Sequence, residues 1–264
     1  MSRQMNLKIF VTAALLVLTV CASGQTETSL NVTDRQGKKQ GHWIKKYPNE
    51  NIMYDGFFKD DHPVGELKRY YEDETLKSVL SYSDNGRKAV AVMYHPNGNI
   101  SANGTYIDQK KEGKWQFYSS FKNGCLVSEE NYSDNLKNGL AVKFYADSTV
   151  AEKTNYINDI KQGEWTQYYP SGTLSLKSNY LNGKVNGKFE VWFENGQIEF
   201  SGQYVNDSRD GLWNIYSNDG TVKYKLTYQM GITHDRQMDI DESDFIDSLE
   251  MNKGKIADPE KSGM

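Results

Sequence analysis

The residues of this chain that could do chemistry are few and scattered. His42, His62, His95 and His234 stand far apart, Cys21 and Cys125 are the two cysteines, and none falls at the close spacing a zinc site requires. No Gly-x-Ser-x-Gly elbow, phosphate loop or dinucleotide fingerprint occurs. Carboxylates such as the adjacent Glu129 and Glu130 have no partners at the repeat spacing and read as solvated strand or turn edges. One set has a metal-binding spacing: Asp239, Asp241, Ser243, Asp247 and Glu250 occupy positions 1, 3, 5, 9 and 12 of a calcium-loop template. Asp244 stands where that template needs glycine and the flanks are poor helix formers, so the segment reads as a solvated acidic tail, with calcium binding as the alternative. The expectation is a protein that is not an enzyme and holds no cofactor.

What does recur at fixed spacing is aromatic. Tyr94, Tyr118, Phe144, Tyr168, Trp192 and Tyr216 follow one another at intervals of 24 residues, with one interval of 26. Such a ladder is a candidate contact row for a protein partner, and the competing reading is that its rings only hold the structure together. Rows of exposed rings also suit sugar faces, which makes cell-wall or glycan binding a further possibility.

The elements that carry this row form a repeat. A glycine opens each unit at Gly41, Gly65, Gly113, Gly139, Gly163, Gly187 and Gly211, with Ala89 in the expected place between Gly65 and Gly113. Every interval is 24 residues except Gly113 to Gly139, which is 26, and the excess falls in the turn Ser119 to Asn123, where Phe121 projects. A second marker is the aromatic series Phe58, Tyr82, Tyr106, Tyr132, Tyr156, Tyr180, Tyr204 and Tyr228, each six residues after an aliphatic or valine such as Leu174 or Val222. Six is even, so both side chains share one face of a strand. Two residues after the opening position stand Trp43, Leu67, Trp115, Trp165, Phe189 and Trp213, and the candidate row lies five residues after it, so the two sets line opposite faces.

Asn97-Gly98, Asn123-Gly124, Ser171-Gly172, Asn195-Gly196 and Asp219-Gly220 divide the units. Asp60-Asp61, Asp84-Asn85, Asn158-Asp159, Asn182-Gly183 and Asn206-Asp207 separate them. Two strands per unit predict an all-β, elongated, single-layer antiparallel meander of about eight stacked hairpins, the last truncated. The organisation that follows is a leader at 1–24, a polar lead-in at 25–40 with one capping strand, the array at 41–231, and an acidic, largely disordered tail at 232–264 with a short helix near Ser243 to Met251.

Composition narrows the partners. A net charge of −4 argues against nucleic acid and anionic lipid surfaces, and 18 Tyr, 10 Phe and 5 Trp supply the apolar area that a hydrophobic content of 37% would otherwise lack. Arg3 and Lys8, the apolar run Ile9 to Val20 and the small exit Ala22-Ser23-Gly24 describe an export signal too short to span a bilayer. Leu18-Thr19-Val20-Cys21 adds lipid anchoring at Cys21 as an alternative. Cys125, then the one thiol of the exported chain, reads as a small buried hydrophobe with no disulfide partner.

The units from Gly163, GEWTQYYPSGTLSLKSNYLNGKVNG, and from Gly187, GKFEVWFENGQIEFSGQYVNDSRDG, pair Gly-x-Trp/Phe with an Asn-Gly-type turn and a Tyr before the next Lys-x-x-Gly. This pattern resembles MORN repeats, specifically the bacterial MORN-repeat variant, over Gly41 to Gly231. The second and third units depart from it at Leu67, Ala89 and Ala91, where the sheet is expected to be less regular. The resemblance implies a twisted single-layer sheet used for protein or lipid contact and for self-association, and bacterial relatives are described as antitoxin-like. The function expected is thus a non-catalytic exported interaction or scaffold protein, with a toxin-neutralising inhibitor as the alternative.

Overall fold

The computed structural model describes residues 29–121 and 124–233. The leader, the calcium template and the tail helix expected from sequence lie outside them. Within them the chain is a single antiparallel sheet in which each strand pairs with the ones before and after it. Its hairpins are Lys39–Lys46 with Ile52–Lys59, His62–Tyr70 with Leu76–Ser83, Lys88–Tyr94 with Ile100–Ile107, and Lys110–Tyr118 with Leu126–Ser133. They continue as Gly139–Phe144 with Val150–Ile157, Ile160–Tyr168 with Leu174–Leu181, Gly187–Trp192 with Ile198–Val205, and Ser208–Tyr216 with Val222–Gln229. The eighth hairpin is complete, not truncated as the repeat count suggested, because its register with the next opening glycine was the only thing missing. Val32–Thr33 pairs with Lys39–Gln40 as the expected cap.

Local sequence explains both kinds of turn. Between hairpins two consecutive residues have positive φ, as in Asp60 and Asp61 (51° and 68°), Asn158 and Asp159 (50° and 67°) and Asn206 and Asp207 (50° and 68°). That is the type I′ geometry whose twist suits a two-residue hairpin and which Asn, Asp and Gly tolerate best. Asp108-Gln109, Asp134-Asn135 and Met230-Gly231 adopt it as well. Within hairpins a single residue has positive φ: glycine at Gly172, Gly196 and Gly220, but Glu50, Glu74 and Ser148 in three others. Those three follow Asn49, Asp73 and Asp147, whose side-chain oxygens accept the amide two residues on from Asn51, Thr75 and Thr149 at 3.1, 3.0 and 2.9 Å. The same bond spans glycine turns, where Asn97, Asn195 and Asp219 accept the amides of Asn99, Gln197 and Thr221, so it shapes both kinds.

The unit-opening glycines have their own reason. Gly65, Gly113, Gly163 and Gly211 all have positive φ, and the pairing between neighbouring hairpins skips at each, from Gly56–Leu67 to Phe57–Val64 for example. This is a glycine bulge inserted into one strand. Ala89 cannot take that conformation cheaply, and there the pairing runs unbroken from Ser78–Met93 to Ser83–Lys88. The residues omitted from the bulge reappear in the junction, a 3-10 turn over Asp84–Gly86. Leu80 still faces Ala91 as Gly56 faces Leu67, so the departure seen in the sequence changes the turn and leaves the register of the sheet intact.

Candidate interaction surfaces

One face of the sheet is closed. Trp115, Trp165, Phe189 and Trp213 are essentially fully buried, whereas the candidate row five residues after each unit opening is half-buried throughout. A single layer achieves this because the rings lie on one another: Trp213 has Phe189, Tyr204 and Tyr228 at centroid distances of 5.9, 5.2 and 6.1 Å. Each ring also lies over a small residue of the preceding hairpin. A Cβ at Gly104 would stand 2.3 Å from the Trp115 indole, and one at Gly202 would stand 2.1 Å from that of Trp213. Where the facing residue is larger the ring shrinks: Leu80 faces Ala91, and Glu130 lies opposite Ala141, one step beyond the Val142–Glu129 pair. Thr154 faces Trp165. The Trp165 indole N–H then turns to Glu152 at 3.4 Å, whereas Trp115 donates to the Thr105 carbonyl at 3.2 Å.

Cations two residues before the opening glycines cover these rings. Lys111 Nζ lies 4.7–5.1 Å from the centroids of Tyr132, Phe117 and Trp115, and Lys161 Nζ 4.7 Å from that of Tyr180. In the middle of the face they meet buried carboxylates. Glu130 is 3% exposed, accepts the Tyr132 hydroxyl at 2.6 Å and pairs with Lys137 at 2.9 Å. The sequence reading of Glu129 and Glu130 as solvated edges is therefore corrected: Glu129 pairs with Lys114 at 2.9 Å and Glu130 is an inner-face residue, fitted where Ala141 leaves room. Glu152 pairs with Lys143 at 3.3 Å and accepts Gln167 at 3.0 Å. Burial pushes its carboxyl up, but Lys143, Gln167 and Lys161 outweigh that and hold it below its ordinary value. Burial lowers the Lys161 ammonium, against the pull of Glu152 and with Lys143 and Lys137 adding to the fall.

The opposite face carries the candidate row and a lattice of exposed ion pairs such as Lys177–Glu164 at 2.8 Å and Lys188–Glu190 at 2.6 Å. All six predicted residues, Tyr94, Tyr118, Phe144, Tyr168, Trp192 and Tyr216, stand at the same place in their hairpins, at the end of the first strand. The Tyr118 hydroxyl donates to Gln116 at 3.1 Å and accepts Asn103 at 3.1 Å, and Lys153 lies 5.5 Å over the Tyr168 ring. A second ladder, which the sequence reading missed, fixes the backbone beneath the row. Tyr47, Tyr71, Tyr145 and Tyr169 donate their hydroxyls across the unit boundary to the carbonyls of Tyr70, Tyr94, Tyr168 and Trp192 at 2.7–2.9 Å. His95 Nε2–H does the same to Tyr118 at 2.9 Å. Tyr71, His95, Tyr145 and Tyr169 each directly follow a ring at the end of a first strand, whereas Tyr47 follows Lys46.

Two further expectations are settled locally. Phe121 projects, at 79% exposed, and Cys125 is half-buried, not buried, in a shallow pocket with Phe121, Leu126 and Phe144. Among the described residues no three or more of His, Cys, Asp and Glu gather in a metal-holding group, and no helix is long and apolar enough to cross a membrane.

Fold and faces define the class: an open meander of stacked hairpin repeats with a closed ring-packed face and a ring-bearing outer face. The MORN repeat variant family matches at residues 63–84, 161–182, 185–206 and 209–230, about a third of the chain. Each match begins two residues before an opening glycine; three end at the first residue of a type I′ turn, and the first ends at Asp84 in the 3-10 turn. The second unit is among them despite Leu67. No curated protein matches the chain. Among solved structures, TarM is 13% identical over 46% of this chain and 19% of its own length, with a TM-score of 0.21. A protein of unknown function from Bacteroides fragilis NCTC 9343 is 10% identical over 74% of this chain and 96% of its own, with a TM-score of 0.12. The chain thus spans under a fifth of TarM, and neither likeness supports an inference about function.

Proposed function

We propose that the chain is a non-catalytic, exported repeat scaffold that docks a protein partner on its outer ring row. MORN repeats generally mediate protein or membrane interactions, and the four matches to that family support an interaction role. The observation that carries the choice of surface is the separation of roles between the faces. The inner rings are consumed in packing, whereas the outer rings stay half-exposed and the positions under them are tied by the hydroxyl ladder. A large, half-exposed ring on a fixed backbone loses little entropy on contact, which favours recognition over mere packing. Export rests on the leader sequence of residues 1–24, and the charge balance speaks for a protein over nucleic acid.

Replacing Tyr168 and Trp192 together by alanine tests the surface. Loss of a bound partner with unchanged thermal unfolding is the expected result, and a collapsed melting transition would return the rings to a packing role. A toxin partner or a wall polymer, recovered in place of another protein, would be recognised as such in the same capture.

A further inference from the structure

The inner face is not closed everywhere. At the second and third hairpins, where Leu67 and Ala91 replace the large rings found elsewhere, a groove of about 660 Å³ opens. Its floor is Leu67, Leu80 and Ala89, and its walls include Tyr54, Tyr82 and Tyr106. Two cations face it. Lys39 Nζ bonds the Tyr54 hydroxyl at 3.0 Å, and Arg69, paired across the strands with Tyr54 and Ser78, lies close enough to Tyr82 to pull its hydroxyl's titration down against burial. Arg69 occupies the position held by Phe117, Val191 and Ile215 in other units and by lysine at Lys45 and Lys143, of which Lys143 is paired with Glu152.

Among the described residues neither Lys39 nor Arg69 has a carboxylate within ion-pair distance. The third cation, Arg87, is already engaged by Asp108 and Asp84. The groove's one carboxylate, Asp61, accepts the Lys39 amide at 2.8 Å. Unneutralised cations among tyrosine hydroxyls and an apolar floor suit a ligand bearing several carboxylates and some large apolar groups.

The chain itself contains such a segment. Residues 239–250, DIDESDFIDSLE, hold six carboxylates, no Lys or Arg, and Ile240, Phe245, Ile246 and Leu249. We propose that the groove binds residues 239–250 of a second copy of this chain. The same copy is the poorer source: the groove and the last strand are some twelve strand steps apart, roughly 58 Å along the sheet at about 4.8 Å per step, whereas Asp244, the middle of the segment, lies at most roughly 40 Å along the chain from Thr233. Binding between copies is then head-to-tail. It uses the inner groove and is independent of the outer row, so either reading can fail alone.

A fluorescein-labelled peptide of residues 239–250 is titrated against the exported chain truncated after Thr233, which keeps the pairing of Ile232–Thr233 with Tyr228–Gln229 and is first shown to melt as the full chain does, with anisotropy as readout, and the full exported chain is examined by sedimentation velocity over a range of concentrations. The peptide is expected to saturate the truncated chain, to bind at least about 10-fold more weakly to Arg69→Glu, and to weaken as salt rises from about 0.05 to about 0.5 M. The full chain is expected to associate with concentration and Arg69→Glu not to. Arg69 is exposed, and Arg69→Gln with an unchanged melting curve controls for folding. Tyr168→Ala with Trp192→Ala should leave peptide binding as it was. Equal peptide binding by Arg69→Glu and the parent, no binding by the parent, or a full chain that stays monomeric throughout would each overturn the proposal.

Discussion

Gly202→Ala is the substitution that most sharply probes how a one-layer sheet keeps its tryptophans dry. The added Cβ would stand 2.1, 2.2 and 2.6 Å from three atoms of the Trp213 indole, where ordinary contact is 3.4–4 Å, so the ring must retreat by about an ångström or more. It has nowhere to go: Trp213 is 0% exposed, with Phe189, Phe200, Tyr204 and Tyr228 around it. Overpacking of this kind costs about 1–3 kcal/mol, whereas replacing glycine in a strand returns about 0.4–1 kcal/mol by restricting the unfolded chain. The net expectation is a loss of about 1 kcal/mol. In a Trp213→Ala background the clash is gone and the same substitution should be neutral or slightly stabilising, giving a coupling of about 2 kcal/mol between the two positions. Urea denaturation followed by far-UV circular dichroism measures the total, and amide exchange over Ile198–Gln229 localises it to the affected hairpins. An equal cost in both backgrounds, or no cost in either, would refute the idea that ring and glycine are matched across the unit boundary.

Two other substitutions test the turns and the buried charges. Glu74→Gly should stabilise the array by about 1 kcal/mol in the same denaturation assay, because Glu74 holds a φ of 68° that glycine adopts without steric cost. Glu152→Gln should destabilise it by about 3 kcal/mol near neutral pH, since it strips the counter-charge from Lys143 and Lys161 on a buried face. The folded Glu152 carboxyl titrates below its ordinary value of 4.5, so its contribution is fully present above that value and is lost as pH falls through the folded pKa. The parent and Glu152→Gln should therefore converge in stability on acidification, which melting curves measured between neutral and strongly acidic pH will show or deny.

Much of the fold was legible because it is written in a period. The strand parity of Trp115 against Tyr118 and the type I′ junction at Asn158-Asp159 follow from local rules that hold inside each unit. What escaped the sequence lies between units. Glu130 looks solvated until the register shows that Ala141, with no ring to offer, stands opposite it. Ala89 looked like an irregularity, yet the bulge it forfeits is returned by the turn at Asp84–Gly86, a compensation visible only once both strands are paired. Glu50, Glu74 and Ser148 take a glycine's backbone conformation in turns closed by the same side-chain bond that glycine turns carry, so glycine spacing alone underreported the turns. Of the surfaces, the outer row could be placed by parity. The hydroxyl ladder beneath it and the groove at the second and third hairpins needed the three-dimensional packing.

The most direct test of the scaffold reading is quantitative affinity capture from envelope extracts of the source cells, run side by side with the tagged exported chain and its Tyr168→Ala/Trp192→Ala variant, both first shown to melt alike. A partner held in stoichiometric amount by the parent and lost from the variant is the predicted result. The same partner held equally by both, or none held by the parent, would contradict it.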